Sequence, residues 1–256
     1  MLLFSKLGGM NPPGRNINPH ISVDCVIFGF NTNQLKVLLI RRTFRDPSGK
    51  TIRDHKLPGD FIDLDEDLDL AASRTLKELT GLKNIYLEPF AVFGRPDRIS
   101  SPTDIAWLRA TTGHEIHRVV TAAYYSLINI SDTRSEFAIK NKAIWVNVNE
   151  VPELAFDHGS IISLGLEHLQ RTLRSEPIGF ELLPDKFTIR ELQTLYEVIL
   201  GCTLDNRNFR KKILKSAYLV QLKEKQSGVA HKPAHFYQFD RGTYETHKKE
   251  SLGFNI

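Results

Sequence analysis

Residues 57–82, LPGDFIDLDEDLDLAASRTLKELTGL, constrain this chain more than any other stretch of its 256 residues. A Pro-Gly turn at Pro58 and Gly59 opens the segment. A helix follows through LDLAASRTLKELTG, where Leu68, Ala72, Leu76 and Leu79 recur at three- and four-residue steps. Gly81 is its natural C-cap, since glycine enters the left-handed conformation of that position at no steric cost. Thr75 and Leu79 lie four apart and therefore share one helix face.

The flanking sequence reads as a mixed domain. HISVDCVIFGF and LKVLLIRR are β-rich runs around the turn residues NTNQ, a hairpin. RTFRDPSGKTIRDH reads as a polar loop. LKNIYLEPFAVFG and HRVVTAAYYSLINI read as strands, and between them RPDRISSPTDIAWLRATTGHEI reads as a long polar loop carrying Trp107. KAIWVNVNEVPELAFDH is a strand and a Pro-containing turn, SIISLGLEHLQRTLRSE is a helix, and PIGFELLPDKF is a Pro-rich crossing. Residues 1–19 read as a flexible leader; their apolar stretch of four residues has no basic region before it, unlike a signal peptide.

Charge separates the two ends. Residues 178–256 hold 13 Lys and Arg against 9 Asp and Glu, whereas residues 1–177 hold 21 of each. Within 204–232 the count is 8 basic to 2 acidic. A neutral front and a basic back suit a polyanionic partner for the back. Its helices agree. FTIRELQTLYEVILG starts at an N-cap Thr188 with Glu191 three residues on, a capping box, and ends at Gly201. After a short turn, LDNRNFRKKILKSAYL has Asp205 as N-cap, Phe209, Ile213 and Leu214 inward, and Arg207, Arg210, Lys211 and Lys215 on the other side. Two helices on a short turn, the second basic at its start, describe a helix-turn-helix. LVQLKEKQSGVAHKPAHFYQFDR then supplies two strands around a Gly- and Pro-containing tip, a wing. Cys25 and Cys202 fall in different halves, so neither a disulfide framework nor a metal site is expected, and a reducing cytoplasm is the default. No apolar run approaches the ~18 residues of a membrane span.

Segment 57–82 resembles a Nudix box: Gly, five residues, Glu, seven residues, Arg-Glu, apolar, any, Glu-Glu, any, Gly, apolar. Gly81 and Leu82 anchor a register in which Glu66, Arg74, Leu76 and Glu78 match, whereas Asp60 replaces the leading Gly, Thr75 the Glu after Arg, and Leu79 the second Glu of the pair. With the basic C-terminal motifs LQxxYE and LDxxNFRKK, the chain is similar to the Nudix-related transcriptional regulators over residues 20–245. The resemblance implies an α+β chain: a Nudix-type α/β/α sandwich over 20–177 as effector sensor, then a winged helix-turn-helix over 178–256. It implies a homodimer on palindromic double-stranded operator DNA. It also implies a sugar or ADP-ribose-like effector. Glu66 and Arg74 occupy the positions that brace the loop–helix–loop.

The residues sharpen these expectations. A Nudix helix holds several carboxylates against Mg²⁺ and a diphosphate. Here Thr75 and Leu79 have lost theirs and Glu78 remains, so no catalytic residue, metal or cofactor is expected. Asp24 is unusual on a strand and suits a polar pocket. Lys56, Gly59 and Asp60 around the turn, Arg95 at a strand end, and Arg118 and Tyr124 on the strand bordering the cavity are the candidate effector contacts. Asp60 would crowd and repel a diphosphate yet accept hydrogen bonds from sugar hydroxyls, which favours a pentose over ADP-ribose. His114 and His117, three apart, have no third ligand and read as exposed. For DNA, Asn206, Arg207, Asn208, Arg210 and Lys211 start the recognition helix, where early residues reach base edges. Lys215 suits a phosphate, and His231 and Lys232 at the wing tip suit the minor groove or backbone. One rival is a Nudix hydrolase with an accessory nucleic-acid domain; its missing carboxylates would have to come from Asp63, Asp65 or Asp67, which precede the helix. A protein-interaction role for the C-terminal domain is disfavoured by the basic helix.

Overall fold

The computed structural model describes residues 15–31, 33–46, 48–130, 143–228 and 232–249. By their contacts they divide into two units: residues up to 28, 36–126 and 143–165, and residues 29–35, 127–130 and 166 onward.

A seven-stranded sheet organises the first unit. Its strands are β1 (Ile17–Asn31), β2 (Gln34–Arg45), β3 (Thr51–Lys56), β4 (Gly59–Asp63), β5 (Glu88–Phe93), β6 (Val120–Asn129) and β7 (Ala143–Asn147). Hydrogen-bonded neighbours run β3-β2-β1-β6-β5, with β4 on β1 and β7 on β2. Helix α1 (Leu68–Thr80) follows β4, α2 (Pro102–Thr112) lies between β5 and β6, and α3 (His158–Ser175) follows β7. Successive residues of a strand face opposite sides of a sheet. The Cys25 thiol reaches Ala72 O on α1. Its neighbour Val26 packs at Gly165 of α3. Thus α1 and α3 cover opposite faces, the expected α/β/α arrangement.

Local signals explain α1. Asp67 caps its start by accepting from Leu70 N–H, and Gly81 ends it at φ 79°. Ala71, Ala72, Thr75, Leu76 and Thr80 are buried; Leu68, the first apolar position of the pattern, is 39% exposed.

Three further expectations need correction. The described part of the expected leader is not flexible chain: Arg15 pairs with Asp60 and Asp63, and β1 starts at Ile17. The polar stretch 42–55 is largely strand: β2 and β3 pair from Ile40–Lys56 to Arg45–Thr51. The long loop 95–118 contains α2, which has Pro102 in its first turn and Gly113 as a left-handed C-cap. Its Trp107 and Leu108 join Ile17, Phe44, Phe61, Ile99, Ile116 and Val119 in one buried cluster. That apolar stripe was hidden by the segment's polar average.

In the second unit, α4 (Ile189–Leu200) and α5 (Asn206–Ile213) precede the hairpin of β8 (Leu219–Lys225) and β9 (His235–Phe239), and α6 (Arg241–Lys249) follows. The Thr188–Glu191 capping box forms with both reciprocal bonds. Between α4 and α5, Glu197 accepts from Leu204 N–H and Gln193 donates to Leu204 O, which fixes the turn. Tyr196 meets Phe209 edge-on at 5.5 Å, locking α5 to α4. α5 stops at Ile213, shorter than expected, and Leu214 is 43% exposed rather than inward.

Candidate functional site

The pocket of the first unit opens between β1, the β3–β4 turn, α2 and the start of α3. Four of the expected effector residues, Asp24, Lys56, Gly59 and Asp60, line it. They are joined by Ser22, Arg98, Trp107, Phe156 and His158, among others. Asp24 is the hub. It accepts from Thr121 Oγ1 at 2.8 Å and lies 3.3 Å from His158 Nε2 and 3.7 Å from an Arg98 nitrogen. His158 Nδ1 accepts the Leu57 N–H at 2.9 Å, so its proton sits on Nε2 and points at Asp24. Burial pushes the Asp24 carboxyl upward, but His158, Arg98 and Lys56 outweigh it and hold the group well below the carboxylate range. Arg98 is itself held by a two-pronged bond to Asp157.

Lys56 is almost fully buried; its ammonium donates to Gly59 O at 2.6 Å and Leu57 O at 3.3 Å. Burial lowers its pKa, opposed by Asp24 and Asp60. Gly59 pairs with Asp24 across β1 and β4. A Cβ at Gly59 would stand 1.9 Å from Asp24 Oδ1 and 2.9 Å from Val23 O, so only glycine admits this approach.

Asp60 behaves differently from the expectation of a free carboxylate. Its Oδ2 accepts from Arg15 at 2.7 Å and Arg74 at 3.2 Å, and its Oδ1 from Phe61 N–H. Two guanidinium groups, which also serve Asp63, Glu66 and Glu78, contact it, so its oxygens are occupied and do not stand open to hydroxyls. Three expected contacts do not line the pocket. Arg95 is exposed and paired with Asp97. Arg118 is exposed and donates to Gly94 O. Tyr124 is buried with its hydroxyl on Asp69. Strand alternation and the turn after β5 aim these side chains elsewhere. His158 and Thr121, which complete the hub, had no recognisable motif; only the sheet brings them to Asp24.

The box itself is a brace. Arg74 donates to both Glu66 oxygens at 2.8 Å and to Phe61 O at 3.0 Å, and reaches Glu78 at 3.4 Å. Glu66 also accepts from Asp63 N–H. Thr75 is fully buried and its hydroxyl has no hydrogen-bond partner among the described residues. A Nudix Mg²⁺ needs several carboxylates converging on one point; here Asp60, Glu66 and Glu78 turn toward Arg74. Among the described residues no group of three or more His, Cys, Asp or Glu is placed to hold a metal ion. The donor set therefore does not fit the ion.

The second unit presents its basic residues outward. Asn206, Arg207, Asn208, Arg210 and Lys211 are all exposed on α5, and Lys212 joins them. The Asn208 N–H is taken by the Asp205 cap, which leaves its side chain outside. Lys215 lies past the helix end, in the turn before β8, because the chain turns there through Leu214. Lys232 is exposed beside the hairpin tip, and His231 lies outside the described residues.

The NUDIX domain family matches residues 18–164, and the NrtR DNA-binding winged helix domain matches residues 179–239. The ADPR responsive transcriptional repressor NtrR of Acinetobacter baylyi is 31% identical over 233 residues, which cover 89% of this chain and 85% of that protein. The chain belongs to the Nudix-related transcriptional regulators. Among solved structures, Shewanella oneidensis NrtR complexed with a 27mer DNA is similar at a TM-score of 0.70 and 27% identity, covering 88% of this regulator and 95% of that chain. Shewanella oneidensis NrtR crystallised alone gives 0.67 and 27%, covering 92% and 98%. The regulator thus combines a Nudix fold, acting as a ligand sensor, with a winged helix. No helix among its described residues is long and apolar enough to cross a membrane.

Proposed function

We propose that this regulator represses transcription by binding operator DNA as a homodimer and that ADP-ribose, or a related NAD metabolite, binds the first-unit pocket and alters that binding. The sensing role falls to residues 20–177 and DNA reading to 178–256. The observation that carries the effector choice is the pairing of Asp60 with Arg15 and Arg74. The case for a pentose rests on a bare carboxylate facing a diphosphate, and two cations on Asp60 weaken that repulsion. Lys56 and Arg98 add cationic charge to the lining. The ADPR-responsive relative at 31% identity supports the same choice. Asn206, Arg207, Asn208, Arg210 and Lys211 are the proposed DNA contacts of α5, with Lys215 and Lys232 on the backbone. We read the sensor as non-hydrolytic because its box acids brace Arg74 instead of converging on a metal.

Titration calorimetry with ADP-ribose, ribose and other pentoses, coupled to gel shifts on the DNA upstream of its own and neighbouring genes, tests the reading. ADP-ribose should bind and shift DNA affinity, with no effect of free sugars. Pentose binding in its place would restore the sugar alternative. Hydrolysis of ADP-ribose with Mg²⁺ at ~1 s⁻¹ or faster would make the chain an enzyme.

A further inference from the structure

The first-unit pocket has a roof that belongs to neither its floor strands nor its box. That roof is α2, which places Trp107, Leu108, Thr111 and Thr112 on the cavity. Beneath it the cavity measures about 50 Å³. Ligand clefts run to roughly 300–1,000 Å³, so a nucleotide does not fit beneath α2 as it stands. Trp107 fills what remains. The Arg42 guanidinium lies 5.4 Å from its ring centre, the Lys56 ammonium 5.7 Å, and Phe156 stands edge-on at 6.0 Å. The ring is thus packed on several sides and presents no free face for stacking.

This roof is attached to the sheet through side chains. Outside the strand ladders, the backbone–backbone hydrogen bonds of residues 94–119 stay within that segment among the described residues. The helix is held by side chains. Asp104 pairs with Arg42 at 2.7 Å, and its other oxygen accepts from Phe156 N–H at 2.9 Å. Arg42 is nearly inaccessible and is anchored from behind by Asp54. Glycines flank the segment, at Gly94 and at the left-handed Gly113. The sheet can therefore release α2 without breaking a strand ladder.

We propose that α2 is a lid latched by the Arg42–Asp104 pair, and that a nucleoside-diphosphate-sized effector enters only when the latch parts and Trp107 leaves the cavity. This rests on the pocket being the effector site. It makes the segment a determinant of how fast the ligand is sensed, since binding must wait for opening.

The decisive measurement is hydrogen exchange on the full ligand-free chain, which needs no effector. Amides of α2 should exchange at least tenfold faster than those of α1, as a separate opening unit. Asp104→Asn should speed α2 about tenfold more and leave α1 unchanged. Equal protection of the two helices in the wild-type chain, or a variant that accelerates both alike, overturns the lid. A second arm uses Trp145→Phe, which leaves Trp107 as the single tryptophan. On adding ADP-ribose, its emission should shift to the red and become more quenchable by acrylamide. Binding proven by calorimetry with unchanged Trp107 emission also overturns the lid. If calorimetry shows no ADP-ribose binding, the effector reading fails, and the exchange pattern alone decides the lid.

Discussion

Helices α1 and α5 are both rich in charge and use it in opposite ways. Arg74 of α1 is surrounded by Asp60, Glu66 and Glu78, one cation shared among three carboxylates. Burial opposes the charged form of Arg74, but Glu66 and Asp60 outweigh it and raise its pKa. On α5, Arg207, Arg210, Lys211 and Lys212 have no acidic partner among the described residues and face solvent. Paired charge braces a fold; unpaired like charge costs stability and is retained where an anion will meet it. The contrast therefore separates a helix that holds its own domain together from one built for a partner.

The comparison breaks first at Arg74. Arg74→Ala should strip Glu66 and Glu78 of their counter-charge, leave Asp60 with Arg15 alone, and cost ~3 kcal/mol, in line with breaking a part-buried network. The first-unit thermal transition should fall accordingly; a loss below ~1 kcal/mol would mean that α1 is not braced by charge. Next comes α5. Arg210→Ala with Lys211→Ala should leave that transition unchanged within ~0.5 kcal/mol. The same pair should weaken DNA binding by about 2 kcal/mol, roughly thirtyfold, and reduce the salt slope by nearly two. A change in stability without a change in slope would place these cations in the fold instead.

A smaller effect concerns Thr75, where the box pattern has Glu. Thr75→Val keeps the shape and removes a buried hydroxyl without a partner, so it should stabilise the sensor by ~1 kcal/mol. Thr75→Glu, which restores the box residue, should unfold the domain in place of creating a metal site. Smallest is the pH response. The Arg74 hydrogen bond lowers the Glu66 pKa in the fold. Its stabilisation is thus complete above the unfolded Glu pKa and lost as pH falls through the lower folded value. Acid titration of stability should show this loss in the wild-type protein and a shallower one in Arg74→Ala.

Much of the architecture was legible from local pattern. The helix at 68–80, its glycine stop, the capping box at Thr188 and the basic start of α5 are short-range properties, set within a turn or two of chain. Asp24 also betrayed itself, because a carboxylate amid apolar strand residues needs a polar purpose. The legibility ended where a role depends on distant partners. Arg95, Arg118 and Tyr124 sit at plausible strand ends, yet side-chain direction there depends on register and on the turn, which pattern does not fix.

By itself, then, the sequence determined two domains, the order of most elements, the loss of box carboxylates and the placement of positive charge at the back. These follow from periodicity, capping chemistry and counting, all local or additive. Only the tertiary structure decided that Asp60 is ion-paired, because Arg15 and Arg74 reach it from separate segments. It alone decided that His158 and Thr121 meet Asp24, and that Trp107 is packed over the pocket. Electrostatics and burial act through space, and the distances that set them exist only once the sheet has brought remote residues together.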